Sequence, residues 1–305
     1  MSKSIGFIGI GNMGGPMASK LIKAGKKVRV YDISKDALEK AEEKKFNIAN
    51  SINDLLKDLP SAIITMLPAG EHSKEVYLGK EGIISKVSKD CLLIDCSTID
   101  IKTSIEIGTK AKQLGIKMID APVSGGVMGA ENGNLTFLVG GSKDAFNLAK
   151  PLLEIMGKNI FHAGELGCGN GAKICNNLAL GISMIGSSEA LMLAKRLNID
   201  IKKVHEIMKN ASGNSWPISV YPPLPGLKEG VPSNNKYRPG FSAGMMSKDL
   251  KLAIECAEEV KANTPLGSTA NNIYDKFCKE GNDNKDFSAI SKVVGGDAWD
   301  YEIDD

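Results

Sequence analysis

Residues 5–14 read IGFIGIGNMG, an apolar run that leads into glycines spaced G-x-G-x-x-G. The run predicts a buried strand, and the residues after Gly14 have the apolar spacing of a helix. In such a unit Gly9 permits a tight turn, Gly11 lets the backbone approach a pyrophosphate, and Gly14 lets helix and strand pack closely. The helix N-terminus offers N–H groups to phosphate. We therefore predict a dinucleotide site formed by Gly9, Ile10, Gly11, Asn12, Met13 and Gly14.

A second predicted strand, Lys27–Tyr31, ends in front of an acid. Asp32 stands close to the position, about 20 residues after the glycine motif, where an acid binds the ribose 2′-hydroxyl. A carboxylate there also repels a 2′-phosphate. We assign Tyr31 and Asp32 to the cofactor site and predict NAD rather than NADP. The alternative is that Asp32 only caps the next helix, since Ser34 and Asp36 follow it.

The first half of the chain alternates apolar runs with helical patterns, which is typical of βαβ units and a parallel sheet. Predicted strands include Ser4–Ile10, Ala62–Leu67, Leu92–Cys96, Lys117–Asp120, Leu135–Val139 and Asn159–Phe161, with helices at Met13–Ala24 and Ser34–Lys45. After a glycine-rich segment, one long helix is predicted over residues 171–197, with further helices at Ile201–Asn210, Met246–Val260 and Ser268–Lys279. The expected fold is α/β: a Rossmann-type doubly wound parallel sheet followed by an all-α domain.

These patterns predict three segments along the chain. Residues 1–163 form an NAD-binding domain, residues 164–296 a helical substrate and oligomerisation domain, and residues 297–305 a flexible acidic tail. A Pro-rich loop over residues 214–240 interrupts the helical domain and is too long for a simple connector. Its Trp216, Tyr221 and Tyr237, with Phe241 just beyond, favour an ordered loop.

The composition argues against several other classes of protein. The formal net charge is +2 and basic residues alternate with acidic ones, so no nucleic-acid partner is expected. The six cysteines form no CxxC pair and the three histidines lie far apart, which argues against disulfides and a metal site. The most apolar helical stretch, Leu178–Ile185, is far shorter than a membrane span of about 20 residues, so no membrane partner is expected. We expect a cytoplasmic protein, or a mitochondrial one if the chain is trimmed from a eukaryotic precursor.

Two further motifs are candidates for chemistry. Asp120–Gly126 (DAPVSGG) ends a strand in a glycine-rich turn whose N–H groups could form a nest for a carboxylate; an ordinary loop is the equal alternative. In Gly169–Asn177, Lys173 and Asn177 share one helix face beside an apolar stripe. Burial and the first-turn dipole disfavour the charged amine, as a general base requires. A solvated surface lysine is the alternative, and spacing alone favours it.

Four blocks resemble the β-hydroxyacid dehydrogenase family. Phe7–Leu21 resembles its N-terminal signature, Asp120–Gly126 its substrate-binding motif, Gly169–Asn177 its catalytic-lysine motif, and Met245–Leu250 its motif near the C-terminus. Ile10 and Lys20 stand where the family more often has Leu and Asn. The blocks follow the family's order over nearly the whole chain. Four other stretches are more similar to the branch that oxidises 3-hydroxyisobutyrate: Ile64–Pro68, Leu92–Ile99, Asn134–Gly141 and Pro223–Pro232.

The resemblance implies a role for each matched residue. Lys173 is the general acid/base, Asn177 orients the reacting oxygen or the carboxylate, and Ser124, Gly125 and Gly126 hold the carboxylate. On the cofactor side it implies contacts from Leu67, Pro68, His72, Thr98, Phe241 and Lys248, although a surface loop position is a rival interpretation of His72. The implied reaction is reversible oxidation of (S)-3-hydroxyisobutyrate, a small 3-hydroxy acid, to methylmalonate semialdehyde with NAD⁺ in valine catabolism. A homodimer or homotetramer is expected.

Two other functions stay open at this stage. A tartronate semialdehyde or glyoxylate/succinic semialdehyde reductase would use the same scaffold, because a one-methyl difference in a pocket is worth only about 1–3 kcal/mol. Asp32 argues mildly against the NADPH-linked reductases. A non-enzymatic interaction protein on this fold is the other alternative; relatives of that type are expected to lose the lysine, which this chain retains as Lys173.

Overall fold

The computed structural model describes residues 4–300. The chain divides into two compact units, Met1–Lys173 and Ile174–Asp305. The division falls inside the long helix, whereas the boundary expected from sequence, after residue 163, lies before that helix.

The first unit contains a nine-stranded sheet with the strand order β3-β2-β1-β4-β5-β6-β8-β7, in which β9 also pairs with β8. The pairs from β3 to β6 and the pair β8–β9 are parallel, whereas β8 runs antiparallel to β6 and β7. The predicted mostly parallel sheet is therefore confirmed. The strands are β1 Ile5–Ile8, β2 Val28–Tyr31, β3 Asn47–Ile48, β4 Ala62–Thr65, β5 Leu92–Asp95, β6 Lys117–Asp120, β7 Val123–Ser124, β8 Leu135–Gly140 and β9 Gly157–Gly164.

Helices cover both faces of this sheet, and an apolar cluster is buried on each side. Alternate residues of one strand serve the two clusters: Phe7 belongs to the first and Ile8 to the second. This alternation follows from the two-residue period of a strand. The helices are α1 Gly14–Lys23, α2 Lys35–Glu43, α3 Ile52–Leu56, α4 Gly70–Leu78, α5 Ile101–Gln113, α6 Gly126–Asn132 and α7 Lys143–Met156.

The long helix α8, Cys168–Arg196, begins three residues before the predicted start and leads into the second unit. That unit is helical: α9 Ile201–Asn210, α10 Trp216–Ser219, α11 Ala243–Glu259, α12 Pro265–Phe277 and α13 Ser291–Gly295, with short 3₁₀ turns between some of them. Two apolar clusters form its core, one of them around Met246, Leu250 and Tyr274. The predicted α/β domain followed by a helical region is confirmed.

The Pro-rich loop is ordered, as its aromatic residues predict. Tyr237 is 1% exposed, and its hydroxyl donates to the carbonyl of Pro223 at 2.8 Å. Trp216 and Tyr221 stack with their ring centroids 4.9 Å apart. The loop therefore packs as part of the helical unit.

Trp299 and Asp300, in the first part of the predicted acidic tail, contact side chains of the helical unit. The Asp300 carboxylate pairs with the Lys195 ammonium, and the Trp299 ring lies 6.2 Å from that of Tyr237. An indole has apolar area to bury, which accounts for the contact of Trp299, and the flexibility of the tail stays a prediction. Residues 301–305 lie outside the described residues.

Among residues 4–300, α8 is one helix that is long and apolar enough, by length and composition alone, to cross a membrane. The expectation that the most apolar helical stretch is far shorter than a span is therefore wrong, because small residues such as Gly181 and Ala190 extend the apolar segment. Half of that segment is buried inside the protein, and core helices of soluble proteins have the same composition. Absence of a membrane partner stays a prediction.

Candidate active site

The glycine-rich loop joins β1 to α1 at the carboxyl edge of the sheet. Gly9 has a φ of +87°, and a Cβ there would lie 2.3 Å from the carbonyl oxygen of Met66. A Cβ on Gly14 would lie 1.9 Å from the carbonyl oxygen of Gly9, so α1 packs directly on the turn. In contrast, a Cβ on Gly11 would meet nothing within 4 Å. The loop thus has two crowded glycines and one glycine that borders open space.

Exposed backbone and an open cleft accompany that space. Gly11 and Asn12 are exposed, Met13 is half-buried and Ile10 is buried. Met13, at the N-cap position of α1, makes no side-chain capping bond. A cleft of about 400 Å³ opens beside this loop, lined among others by Ile10, Gly11, Asn12, Ser34 and Asp36. Small residues, an uncapped helix start and free volume fit a pyrophosphate group.

Asp32 ties the ends of β1 and β2 together. Its Oδ2 accepts from the N–H of Ile10 at 2.7 Å, and its Oδ1 accepts from the N–H of Ser34 at 2.8 Å. The cap of α2 is Ser34, whose hydroxyl accepts from the N–H of Ala37. The alternative interpretation of Asp32 as the helix cap is therefore wrong. Each carboxylate oxygen retains acceptor capacity for a ribose hydroxyl.

Buried polar groups hold the ends of β4 and β5, where the predicted contacts Leu67, Pro68 and Thr98 lie. The Asp95 Oδ1 accepts from the Thr65 hydroxyl at 2.8 Å and from the N–H of Ser97 at 3.0 Å. The Ser97 hydroxyl in turn accepts from the N–H of Leu67 at 2.9 Å. Burial raises the pKa of the Asp95 carboxyl, and its hydrogen bonds oppose that shift. Asp95 therefore links the end of β4 to the segment after β5, and Ser97 links that segment back to Leu67.

His72 lies in helix α4 rather than in a loop, and the rival interpretation of a surface residue without a cofactor role stays open. Its side chain is 42% exposed, and its Nδ1 lies 4.0 Å from the Glu71 carboxylate. Four residues, 66–69, separate the end of β4 from the start of helix α4. The structure thus places His72 near the edge that carries Leu67.

Ser124, Gly125 and Gly126 form the junction between β7 and α6. Gly125 has a φ of +126° and Gly126 a φ of +62°, a conformation that L side chains rarely adopt. Ser124 and Gly126 are half-buried and Gly125 is exposed. The junction therefore depends on glycine at both positions, and its two N–H groups lie at the start of a helix. The carboxylate nest at this junction stays a prediction.

Lys173 lies in the second turn of α8, because that helix starts at Cys168 and not near Gly171. The sequence-based position in the first turn is wrong, and the dipole contribution weakens accordingly, since it falls off within a turn. The predicted burial of the side chain is present, because Lys173 is 7% exposed. The alternative of a solvated surface lysine is therefore wrong.

Asn177 follows Lys173 by one helical turn, and its side-chain amide binds inside the helical unit. It is 1% exposed and donates a short hydrogen bond to Oδ2 of Asp249. The Lys248 ammonium lies 3.0 Å from Oδ1 of the same carboxylate. The sequence analysis included Asp249 in the motif Met245–Leu250 but assigned it no role. Its position directly after Lys248 was the feature that could have pointed to it.

Phe241, the remaining predicted cofactor contact, is held by a buried carboxylate. Its N–H and that of Gly240 donate to Oδ2 of Asp286 at 3.2 and 2.9 Å, and the Tyr221 hydroxyl donates there at 2.8 Å. Burial raises the pKa of the Asp286 carboxyl. Sequence reasoning missed Asp286, which has no motif around it. Within residues 4–300, no group of three or more His, Cys, Asp or Glu side chains is placed to hold a metal ion.

Two family models match the chain. One, described as the NAD-binding domain of 6-phosphogluconate dehydrogenase, matches residues 4–164. The other, described as NAD-binding of NADP-dependent 3-hydroxyisobutyrate dehydrogenase, matches residues 167–294.

Similar proteins cover nearly the whole chain. A probable mitochondrial 3-hydroxyisobutyrate dehydrogenase of Dictyostelium discoideum is 46% identical over 95% of this chain and 90% of its own length. A 3-hydroxyisobutyrate dehydrogenase of Pseudomonas aeruginosa is 44% identical over 96% of this chain and 98% of its own. A Mycobacterium tuberculosis 3-hydroxyisobutyrate dehydrogenase solved with L-serine has a TM-score of 0.89 and 36% identity, covering 97% of this chain and 100% of that one.

These matches confirm the predicted fold class, the family and the NAD-linked oxidoreductase type. The chain belongs to the 3-hydroxyisobutyrate dehydrogenase family of NAD-dependent oxidoreductases.

Proposed function

We propose that this enzyme oxidises 3-hydroxyisobutyrate to methylmalonate semialdehyde with NAD⁺, and that Lys173 is its general acid/base. The observation that carries the proposal is the burial of Lys173, which is 7% exposed at the position of the family's catalytic-lysine motif. Burial keeps bulk water away from the amine, so a substrate hydroxyl bound beside it would exchange its proton with Lys173. The names of the similar proteins support the substrate.

Bound NAD⁺ supplies the hydride acceptor. In the oxidation, the neutral amine of Lys173 takes the proton of the substrate hydroxyl, which lets the C–H bond electrons leave as hydride. In the reverse direction the ammonium returns that proton and stabilises negative charge on the oxygen. Asn177, one helical turn away, orients that oxygen or the carboxylate, and its bond to Asp249 fixes the amide.

The substrate carboxylate binds at the β7–α6 junction in this proposal. Ser124 offers its hydroxyl, and Gly125 and Gly126 offer N–H groups from left-handed conformations. An arginine clamp is not needed. Of the three arginines, Arg29 already pairs with Asp54 at 2.8 Å.

NAD binds across the carboxyl edge of the first unit in this proposal. The pyrophosphate lies on Gly9–Gly14 and the ribose on Asp32, beside Tyr31. Leu67, Pro68, His72 and Thr98 line the edge, and Phe241 and Lys248 of the helical unit are added by the family resemblance alone. The carboxylate of Asp32 disfavours a 2′-phosphate, which supports NAD over NADP.

Substitution of Lys173 tests the mechanism. We expect Lys173→Ala to lower kcat by about 10²–10⁴-fold, the usual contribution of a general acid/base, while NADH still binds in a fluorescence titration. Lys195→Ala is the matched control, because Lys195 lies on the same helix and pairs with the surface residue Asp300. A folded Lys173→Ala protein with near wild-type kcat would contradict the proposal.

L-serine is a second candidate substrate. The mycobacterial structure is described with L-serine, which is also a 3-hydroxy acid with a carboxylate and a hydroxyl at the same spacing. It carries an ammonium where 3-hydroxyisobutyrate carries a methyl group, so an apolar pocket wall would reject it. A kcat/KM for L-serine above that for 3-hydroxyisobutyrate would reverse the order of the two candidates.

We further propose a homodimer or homotetramer that has no nucleic-acid or membrane partner. The near-neutral net charge of +2 supports the absence of a nucleic-acid partner. The expected cytoplasmic or mitochondrial location stays a prediction, since the similar proteins include a mitochondrial and a bacterial one. Sedimentation equilibrium measures the oligomeric state, and a monomer would contradict this part.

A further inference from the structure

We propose that Asp120, together with Asn170, is a positioning device that caps helix α8 from strand β6 and thereby fixes Lys173 relative to the substrate loop. The inference rests on the proposed function, because it acts through Lys173. Neither residue is proposed to touch substrate or cofactor.

The N-terminus of α8 has no side chain of its own to cap it. The residue before Cys168 is Gly167, and the helix opens with Cys168, Gly169 and Asn170. The first N–H groups of a helix need an acceptor from outside the helix. Glycines at these positions also lower the intrinsic stability of the first turn.

The Asp120 carboxylate supplies the missing cap. Its Oδ1 accepts from the N–H of Gly167 at 2.8 Å, and its Oδ2 accepts from the N–H of Asn170 at 2.7 Å. Asp120 and Asn170 are both fully buried. Charged hydrogen bonds at a helix N-terminus also gain from the helix dipole. The first turn of α8 is therefore held at the end of β6.

Asn170 extends the connection to the neighbouring strand. Its Oδ1 accepts from the N–H of Ile99 at 3.0 Å, directly after Thr98. Its Nδ2 lies 3.4 Å from Oδ2 of Asp120. The helix start is thus tied both to the segment before the substrate loop and to the predicted cofactor segment.

Two glycines make room for this arrangement. A Cβ on Gly140 would lie 2.3 Å from Oδ1 of Asp120, and a Cβ on Gly169 would lie 2.8 Å from Oδ2. Any side chain at either position would displace the carboxylate. The glycines at both positions therefore let the carboxylate approach the first turn of α8 closely.

Asp120 and Asn170 connect the proposed general acid/base, Lys173, to the proposed carboxylate site at Ser124–Gly126. Asp120 is separated from Ser124 by three residues of β6–β7 chain. Asn170 is separated from Lys173 by one turn of rigid helix. Fixing Asn170 on Asp120 therefore sets the distance between the amine and the carboxylate nest. A displacement of about 1 Å at a reacting group can cost about 10²-fold in rate.

The inference is tested by measuring kcat and KM separately in the variant Asp120→Asn. An amide can accept at only one of the two positions and presents an NH₂ group to the other N–H, so the cap is half lost. We expect kcat to fall about tenfold or more, while the KM for 3-hydroxyisobutyrate and the affinity for NADH change by less than about threefold. Asn170→Ala, which removes the bond to Ile99, should show the same pattern with a smaller loss.

Asp200→Asn is the matched control, because Asp200 caps helix α9 through the N–H of Lys202 and that helix carries no proposed catalytic residue. We expect it to leave kcat unchanged. If Asp120→Asn does not fold, the inference is tested by Asn170→Ala. A lower kcat with unchanged KM and NADH affinity supports the inference, and a wild-type kcat contradicts it. A folded Asp120→Asn protein with wild-type kcat, or parallel losses in kcat, KM and NADH affinity, would overturn the inference. If Lys173→Ala itself retains turnover, the proposed function fails instead.

Discussion

Helices α1 and α8 both begin in glycine-rich sequence and lack a side-chain cap of their own, yet their N-termini have opposite surroundings. Helix α1 begins next to Gly11, where an added Cβ would meet nothing within 4 Å. Helix α8 begins against the buried carboxylate of Asp120. The first start is open to an anion from outside, and the second is closed by an anion of the protein.

The difference shows how one physical property serves two purposes. Unpaired N–H groups and a positive dipole end attract a negative charge in both places. At α1 that charge is proposed to be the pyrophosphate of NAD, which comes and goes. At α8 it is the carboxylate of Asp120, which holds the first turn of the helix that carries Lys173 at the end of β6.

The largest expected effect comes from filling the crowded glycine at the open start. In Gly14→Ala the new methyl carbon would lie 1.9 Å from the carbonyl oxygen of Gly9, so strand or helix must move. Overpacking of this kind costs about 1–3 kcal/mol or more. We expect a lower unfolding temperature and loss of NADH binding in fluorescence titration.

Two other glycines sharpen this prediction. Gly186→Ala in α8 is the matched control, because a Cβ there meets nothing and alanine favours a helix by about 1 kcal/mol. Gly11→Ala should fold normally but bind NADH more weakly than wild type, because its methyl group would occupy the space proposed for the pyrophosphate. Normal NADH affinity in Gly14→Ala would show that the α1 turn is not the pyrophosphate site.

A smaller effect is expected at Asp32, which faces the same open start. Asp32→Asn removes the charge that repels a 2′-phosphate and keeps an acceptor for one of the two backbone N–H groups. We expect the ratio of kcat/KM for NAD⁺ over NADP⁺ to fall about tenfold or more, which corresponds to about 1.4 kcal/mol and lies between the ~1 and ~4 kcal/mol of a charge pair in water and near a protein surface. Asp36→Asn, an exposed acid on the same cleft, is the control. An unchanged ratio would remove Asp32 from the cofactor site.

The smallest effect concerns pH and Asp95, the cross-strand partner of Asp120 in the sheet. Burial raises the folded-state pKa of Asp95, so the native state retains a proton that the unfolded chain has already lost. The contribution of this group to stability therefore falls as pH rises through the folded pKa. In Asp95→Asn this loss is absent, and the variant's Tm relative to wild type should rise between about pH 4 and pH 8.

The substitution is suited to this measurement because Asp95 uses mainly one oxygen. Its Oδ1 accepts two hydrogen bonds, while the buried Ser73 hydroxyl lies beside the carboxyl and lowers its pKa less than burial raises it. An asparagine NH₂ at the Oδ2 position could donate to Ser73. Asp144→Asn, at an exposed acid, is the control, and its Tm difference should stay flat. A flat difference in Asp95→Asn would contradict the raised pKa.

Local signals predicted much of the fold. Strand β6 and helix α9 have the bounds expected from sequence, Lys117–Asp120 and Ile201–Asn210, because Gly115 and Asp200 delimit them. The open helix start was predictable for the same reason, since its glycines, strand and helix are contiguous. The two-residue strands β3 and β7 carry no such signal and exist through their neighbours in the sheet.

The closed helix start was not predictable in this way. Glycines at 169 and 171 argue against helix, so the sequence placed the start of α8 too late. The cap that overrides this propensity comes from Asp120, which is 47 residues before Gly167 and 50 before Asn170. Asp286 was missed for the same reason, because the groups it binds, such as Phe241 and Tyr221, are 45 and 65 residues away.

The substrate is tested most directly by initial rates for 3-hydroxyisobutyrate, L-serine, glycerate and 4-hydroxybutyrate, each with NAD⁺ and NADP⁺. The account predicts the highest kcat/KM for 3-hydroxyisobutyrate with NAD⁺, and at least tenfold less, about 1.4 kcal/mol, for any other pair. The highest kcat/KM for glycerate with NADP⁺ would contradict both the proposed substrate and the role of Asp32.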